Sequence, residues 1–365
     1  MFGKNVDSDE DGSARMRSNP MIDRSEARRW RRGFLAWGSL AVVVALAIGW
    51  TIVWFAASSM AQSRLDGWLE KEAARGRVWS CPERRVEGFP SSFYVVCERP
   101  TFSGAVDGTE AQARLTRLSA GAFLWAPGHV DVELVGPLAL ATKDEKSRLA
   151  LAFRRMRLDL RFSMEKLQRA ALLGEELEIR WTDPNAAFDG KARSVELSAQ
   201  PVENALQTYD IAVKGAGLAF PELDRFVEST EPASLLIDAR LSGAASLAAG
   251  RGAERLERWR VARGRLFVER LAFGKGALEL TGSGELGLDE LHRLEGRVEL
   301  GERGADALLL RLGVSPAAIG VANALSGLLR GADAGRPTVK LPFSLENGKV
   351  AIGPLRKVYR LKPLY

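Results

Sequence analysis

Side chains that carry out catalysis or bind metals are scarce in this sequence, which has two histidines and two cysteines in 365 residues. It also lacks a Gly-x-Ser-x-Gly nucleophile motif, a His-Glu-x-x-His zinc motif and a Walker glycine loop, the arrangements that place a nucleophile, a metal or a phosphate. These absences argue against hydrolases, zinc proteases and nucleotide-binding enzymes. The sequence therefore predicts a protein that is not an enzyme and that holds no cofactor or metal.

The few groups that resemble catalytic or binding motifs lie within strand-like patterns. Gly282-Ser283-Gly284 lies between alternating leucines with no following helix, which indicates a bend in a strand rather than a phosphate loop. Glu176 and Glu178 adjoin alternating apolar residues, so we expect them on the solvated face of a strand rather than as paired carboxylates for hydrolysis. His129 begins a strand and His292 lies in a turn, and we interpret both as ordinary surface histidines.

Beyond the first 32 residues charge of one sign is nowhere concentrated, although 52 basic and 46 acidic residues give the whole chain a net charge of +6. Lysine and arginine alternate with aspartate and glutamate, so the chain lacks the basic patch that binds nucleic acid. No nucleic-acid partner is therefore expected.

The one long hydrophobic run extends from Gly33 to Ser63 without a charged residue. It exceeds the roughly 20 residues that a helix needs to cross a bilayer, and no later segment is apolar for long enough to cross again. Arginines cluster before the run, and positive residues stay on the cytoplasmic side of a membrane. The sequence predicts a single transmembrane anchor with a cytoplasmic N-terminus and the rest of the chain outside the cytoplasm.

This anchor divides the chain into four expected parts. They are a polar, basic cytoplasmic tail at 1–32, a transmembrane signal anchor at 33–57, an amphipathic helical neck at 58–76 and an exported β-rich domain at 77–365. A cleaved signal peptide with Ser59-Met60-Ala61 as its cleavage site is the alternative, although the run is longer than the roughly 7–15 apolar residues of such peptides. Met21 is an alternative start, and both interpretations export the domain.

The two cysteines, Cys81 and Cys97, lie close together soon after the anchor. In an oxidising compartment, such a pair on facing strands favours a structural disulfide, which stabilises a loop of this size by about 3 kcal/mol. Two buried free thiols are the alternative. Between the cysteines, Gly88 permits unusual backbone angles and Pro90 fixes φ, so we interpret Gly88-Phe89-Pro90 as a structural corner with Phe89 in the core.

Alternation of apolar and charged residues with a period of two dominates the exported region. Leu177-Glu178-Ile179-Arg180-Trp181 is typical, and glycines mark the turns between such segments. The pattern predicts a mostly β fold, in which a long antiparallel, curled sheet has one apolar face and one charged face. Further segments with this pattern are 130–134, 156–162, 209–213, 237–241, 278–280, 286–288 and 298–300.

Turn and helix signals add detail to this sheet. Asn347-Gly348 predicts a type I′ hairpin near the end of the chain. The neck continues the anchor helix until Gly76, and a short helix is expected at 221–227. Ser315 as N-cap and Pro316 as first residue precede apolar residues spaced three and four apart, which predicts a mostly covered helix that caps or plugs the sheet.

The segment 81–97, with its two cysteines and its Gly-Phe-Pro just after a membrane anchor, resembles the signature of an alphaproteobacterial envelope family of unknown function. The segments 259–269, 276–289 and 345–355 resemble the same family and, more loosely, AsmA-like envelope proteins. The family has no assigned activity, so it implies no functional residues. The resemblance implies an inner-membrane location with the domain in the periplasm, and the likeness to AsmA implies a folded-over sheet whose concave apolar face holds acyl chains.

We therefore expect a binding or scaffold protein, tethered to the inner membrane, that handles lipid or another apolar ligand or assists envelope assembly. The strands supply an apolar trough if the sheet curls without a second layer over it. A structural or protein-interaction domain with a closed core and no ligand is the alternative. The candidate residues of the trough are Leu177, Ile179, Trp181, Leu278 and Leu280.

Overall fold

The described part of the chain consists of one long helix followed by strands. A computed structural model describes residues 24–106, 108–164, 166–184, 186–205, 207–247, 250, 252–303, 339–352 and 355–365. The chain divides into two units that meet between Ala56 and Ala57. The helix α1 (Arg24–Ala74) contributes to both units.

The first unit contains most of the uncharged run that the sequence analysis identified, from Gly33 to Ala56. Trp37, Leu46, Ile52 and Phe55 of α1 are each at least 62% exposed, which is costly in water and favourable in lipid. Among the described residues, the stretch Trp37–Ala74 is the one helix that is long and apolar enough to span a membrane. The chain therefore has a candidate membrane span near its N-terminus.

The second unit begins with the neck, which ends at Ala74 and is followed by Gly76 with φ of +77°. The buried carboxylate of Glu72 accepts hydrogen bonds from Arg75 and Arg77. These contacts tie the end of the helix to the first strand of the sheet.

In the described part of the chain eighteen strands follow, and the register of their pairing shows one antiparallel sheet. The strands are β1 (Val78–Ser80), β2 (Glu83–Glu87), β3 (Ser92–Glu98), β4 (Thr101–Val106), β5 (Thr109–Phe123), β6 (Ala126–Thr142), β7 (Arg148–Ala152), β8 (Arg155–Ser163), β9 (Lys166–Asp183), β10 (Ala186–Pro201), β11 (Tyr209–Leu218), β12 (Ala233–Leu241), β13 (Leu266–Lys275), β14 (Leu278–Leu288), β15 (Leu294–Arg303), β16 (Val339–Glu346), β17 (Lys349–Ile352) and β18 (Leu355–Arg360).

The sheet is a meander in which most strands pair with the next along the chain. Three positions hold two short strands in line instead of one long strand: β1 with β2, β3 with β4, and β7 with β8. The long strands β5, β6 and β9 each run beside both members of such a pair. The predicted mostly β fold with a long antiparallel sheet is confirmed.

Between the described strands lie two short α-helices, α2 (Pro221–Val227) after β11 and α3 (Gly252–Val261) after β12. The helix α2 was predicted, whereas α3 was not. Asn347 and Gly348 have φ of +54° and +69° between β16 and β17, as a type I′ turn requires. The predicted capping helix that begins at Ser315 lies outside the described residues.

Among the described residues, Lys275 and Val96 are the largest side chains that are fully buried. Lys275 ends β13, and its ammonium group donates hydrogen bonds to Asp224 of α2 at 2.6 Å and to the carbonyl of Glu231 at 2.7 Å. A buried cation is stable only when it is paired in this way. Lys275 therefore fastens α2 and the segment after it to the sheet.

Candidate functional site

A line of backbone irregularities, here called the bend line, crosses the first half of the meander. Arg99 between β3 and β4, Glu176 in β9 and Gly217 in β11 have φ of 52°, 52° and 67°. A non-glycine residue with positive φ is rare within a strand and turns the chain sharply. From strand to strand, the bend line passes through Arg99, Thr116, Gly136, Phe153, Glu176, Arg193 and Gly217.

At the bend line the alternation of apolar and polar residues changes phase by one residue. The apolar side chains nevertheless stay on the same side of the sheet. Gly174 and Leu177 are three residues apart in β9, and in a regular strand they would lie on opposite faces. With Glu176 in a left-handed conformation, a Cβ atom on Gly174 would lie 3.1 Å from a Leu177 methyl carbon. Gly215 and Leu218 repeat the relationship across Gly217, at 3.0 Å. One side of the sheet, here called the apolar face, therefore continues across the bend line.

On one side of the bend line, the apolar face consists of rows of aliphatic residues that pair across the strands. Most of these side chains are half-buried, and Leu197 is 39% exposed. The central row follows the register from β3 to β15 and consists of Val95, Ala120, Val132, Leu158, Leu172, Leu197, Val213, Ile237, Leu271, Gly282 and Leu300.

On the other side of the bend line, seven strand segments form a smaller part of the sheet, here called the seven-strand half. Its main row is rich in aromatic residues, and its members Trp79, Trp181 and Phe188 are 42%, 38% and 38% exposed. Side chains of this size are usually covered when nothing binds to them. The row consists of Trp79, Phe102, Ala113, Leu140, Leu149, Trp181 and Phe188.

Aromatic rings bound this row at both ends. Trp68 of the neck contacts Trp79 with ring centroids 6.0 Å apart. At the opposite end, Phe220 stacks on Phe188 at 5.4 Å. A Cβ atom on Gly190 would lie 2.3 Å from the Phe220 ring, so glycine is required there for the ring to reach the sheet.

The predicted trough residues all lie on the apolar face but not in one place. Leu177, Ile179 and Trp181 follow one another along β9 in the seven-strand half. Leu280 lies five strands further on, in the row that contains Gly174. Leu278 pairs with the buried Lys275 and is itself only 4% exposed. The prediction that Leu278 lines an open surface is therefore wrong, because the chain around Lys275 covers that corner.

The opposite side of the sheet is charged. In the seven-strand half, Glu178 and Lys191 form an ion pair at 2.7 Å, and Arg180 pairs with Asp189 at 3.4 Å. The side chains of all four residues are more than half exposed, so each pair adds less than about 1 kcal/mol to stability. The predicted contrast between an apolar and a charged face is present, and Glu178 lies on the solvated face as expected.

Cys81 and Cys97 form a disulfide, as predicted, with their α-carbons 5.6 Å apart. Gly88-Phe89-Pro90 is a turn between β2 and β3 in which Gly88 has φ of 108° and its carbonyl accepts hydrogen bonds from the N–H groups of Ser91 and Ser92. Phe89, however, is 54% exposed. The prediction that it lies in the core is wrong, because the tight turn directs its ring away from the sheet.

The pairing of β6 with β8 gathers His129, Asp131 and Asp159 on the charged face. The His129 ring bonds to Asp159, the Tyr94 hydroxyl donates to Asp131 at 3.4 Å, and Arg161 pairs with Asp159 at 3.4 Å. Burial, together with the Asp131 carboxylate, raises the pKa of Tyr94. Sequence reasoning treated His129 as an isolated surface residue, although His-x-Asp in one strand could have indicated two groups on one face.

His292 also has specific partners. Its ring stacks on that of Tyr365 with centroids 4.5 Å apart and lies 3.4 Å from Glu257 of α3. Hydrogen bonds from Arg260, together with one from the Tyr365 hydroxyl, lower the pKa of Glu257 from 4.5 to about 2. These four residues, here called the C-terminal clasp, join α3, the β14–β15 turn and the end of the chain.

The described residues define a class of protein: a β-sheet domain that follows a candidate membrane anchor and has an open apolar face. Residues 54–357 match the model of DUF2125, described as an uncharacterized protein conserved in bacteria. The match covers more than half of the chain, so the chain belongs to this family. No curated protein and no solved structure matches the chain. The looser likeness to AsmA-like proteins stays a prediction.

Proposed function

We propose that this protein is a non-enzymatic lipid-handling protein of the inner membrane, whose periplasmic sheet binds acyl chains on its apolar face. The observation that carries the proposal is the aromatic row of the seven-strand half, in which Trp79, Trp181 and Phe188 are 42%, 38% and 38% exposed while Phe102 is buried. Apolar surface of this extent on a folded domain favours an apolar ligand. The candidate membrane span in the same chain supports a role close to lipid.

The dimensions of the row suit a lipid chain. It crosses seven neighbouring strand segments, and strands lie about 4.8 Å apart, so it extends for about 29 Å. A hydrocarbon core of about 30 Å is two acyl chains thick, so one chain needs about 15 Å. The charged groups of the opposite face are paired across the strands and do not interrupt this surface.

Lipid contact is tested with a photoreactive fatty acid that cells incorporate into their lipids. After irradiation of intact membranes, peptides of the full-length protein are analysed by mass spectrometry. Cross-links to α1 are the internal positive control, and cross-links to β9 and β10 are the expected result. Ile179→Asp should abolish the β9 and β10 cross-links, because a charge on the apolar face repels an acyl chain.

Thr182→Asp is the matched control, because it adds the same charge to the same strand on the opposite face, where Arg148 is its cross-strand partner. This variant should keep both sets of cross-links. If the parent protein shows cross-links in α1 alone, and Ile179→Asp unfolds the domain, the apolar face is a covered core and the domain is a structural or protein-interaction module.

The orientation is proposed from the arginines that precede the span, since positive residues stay in the cytoplasm. Alkaline phosphatase fused after Tyr365 should be active, because that enzyme matures only outside the cytoplasm. A fusion that is inactive, while a cytoplasmic reporter at the same place is active, would reverse the topology.

A further inference from the structure

The large apolar side chains that protrude from the sheet are not evenly distributed. Among the described residues after Ala57, eight such side chains are more than half exposed, and six of these lie at one end of the sheet. Their exposure ranges from 53% for Leu364 to 92% for Met164. These six residues, here called the apolar rim, are Phe89, Trp125, Met164, Val261, Leu291 and Leu364.

The topology of the meander places the rim residues together. The turns that carry Phe89, Trp125 and Met164 join β2 to β3, β5 to β6 and β8 to β9, so all three lie at the same end of the strands. The N–H group of Leu124 donates to the carbonyl of Ser91 at 3.2 Å, which holds the first two turns side by side. Hairpins that are two strands apart are about 10 Å apart.

The other three residues of the apolar rim lie at the same end of the strands. Val261 ends α3 in the connection from β12 to β13, and Leu291 lies in the β14–β15 turn. The N–H group of Leu364 donates to the carbonyl of His292 at 2.9 Å, so the end of the chain lies beside that turn. The apolar rim therefore extends along one end of the strands, from the β2–β3 hairpin to the C-terminus of the chain.

Neither solubility nor the stability of the turn explains why an apolar residue occupies position 164. It has φ of 46° in the β8–β9 turn, a position that favours glycine, asparagine or aspartate. Methionine there exposes almost its whole side chain and adopts an unfavourable backbone conformation. Exposure of the methionine side chain to water costs free energy in addition to the backbone conformation. Contact with an apolar environment would remove the cost of exposure.

The neck indicates which environment this is. Glu72 pairs with Arg77 before β1, and Asp66 pairs with Arg84 in β2. The neck therefore runs antiparallel to the edge strands, and the end that leads to the membrane span points toward the Gly88 turn. Met60 on this part of the neck is also 62% exposed. The apolar rim and the membrane-side end of the neck lie at the same end of the domain.

We propose that the apolar rim is a second membrane contact, inserted into the interfacial region of the bilayer that holds the anchor. Single aromatic and aliphatic side chains at turn tips suit the interface between head groups and acyl chains, where tryptophan is favoured. A lipid surface is favoured over a protein partner because the same chain continues from this end into its membrane span. The rim does not require an acyl chain on the apolar face, so the two proposals are separable.

The test uses the full chain reconstituted in vesicles of phosphatidylethanolamine and phosphatidylglycerol. Single cysteines at Trp125, Met164 and Leu291 are labelled with the environment-sensitive fluorophore NBD, since both native cysteines are held in the disulfide. Lys146→Cys is the control, because this exposed residue lies in the β6–β7 turn at the opposite end of the strands. Thermal unfolding confirms that each labelled variant is folded.

The three rim labels should show a blue-shifted emission and at least a two-fold quenching by lipids that are brominated near the head group, whereas the Lys146 label should show neither. Rim labels that emit as in water and resist quenching would overturn the proposal, and so would equal quenching of all four labels. Cross-links to β9 that persist beside water-exposed rim labels would refute the rim and leave the acyl-chain proposal standing.

Discussion

Leu177 lies against Gly174, three residues earlier in the same strand, because Glu176 between them has positive φ. This local conformation allows the apolar pattern of β9 to change phase at the bend line and still keep a single apolar face. Gly215 and Leu218 show the same relationship two strands further on. The open surface on which the functional proposal rests therefore depends on backbone angles at a few positions.

Substitutions at Glu176 test this dependence. Glu176→Gly should leave the thermal midpoint unchanged or raise it, because glycine adopts positive φ freely. Glu176→Val should lower stability by about 1–2 kcal/mol, since a β-branched residue is disfavoured in that conformation. Both variants remove the same charge, so each is the control for the other. Equal midpoints would show that the bend does not require a left-handed residue.

The disulfide should account for a measurable part of the stability. Replacing Cys81 and Cys97 together by serine should lower the free energy of unfolding by about 3 kcal/mol, because the bond closes a loop of 16 residues. Thiol labelling of the unreduced, denatured parent should detect no free cysteine. Two labelled thiols per chain would contradict the bond.

The ion pair between Lys275 and Asp224 should matter more than others on the same helix. Asp224→Ala leaves a fully buried ammonium group without its carboxylate, which should cost about 3 kcal/mol or more. Glu222→Ala breaks the exposed pair with Arg225 on α2 and should cost less than about 1 kcal/mol. Thermal unfolding compares the two, and similar losses would mean that Lys275 does not fasten α2.

The C-terminal clasp should make stability depend on pH. The pKa of Glu257 is about 2 in the folded protein and near 4.5 in an unfolded chain, so its contribution is complete above about pH 4.5 and is lost as the pH falls toward 2. The midpoint of Glu257→Gln should therefore lie below that of the parent at pH 7, and the gap should close on acidification. Glu290→Gln, an exposed change in the neighbouring turn, should show no such gap. A gap for Glu257→Gln that is constant with pH would contradict the prediction.

A substitution at Met164 tests whether this exposed methionine lowers the stability of the folded domain. Met164→Asn should raise the free energy of unfolding by about 1 kcal/mol, because asparagine tolerates the left-handed conformation. Urea unfolding of the full chain in detergent measures the change. A loss of stability would show that the methionine side chain packs within the domain.

Period-two alternation was sufficient to predict the sheet, its two faces and nine of the eighteen described strands, because apolar and polar residues alternate along a half-buried strand. The disulfide and the helix Pro221–Val227 were predicted from equally local signals. The bend line was not predicted, because a change of phase such as that around Glu176 looks the same as a turn. The burial of Leu278 depends on a distant chain segment that no local pattern shows, and the exposure of Phe89 depends on the detailed geometry of its turn.

The meander pairs most strands with neighbours in sequence, so each strand can join an edge that the preceding strands have already formed. Under the proposed topology, export behind the N-terminal anchor would release the strands in the same order. The neck and the first hairpin would emerge first, and each later strand would then have a formed edge to pair with. Such a topology has local contacts and avoids the slow closure of long loops. The order of synthesis would then match the order of the strands in the sheet.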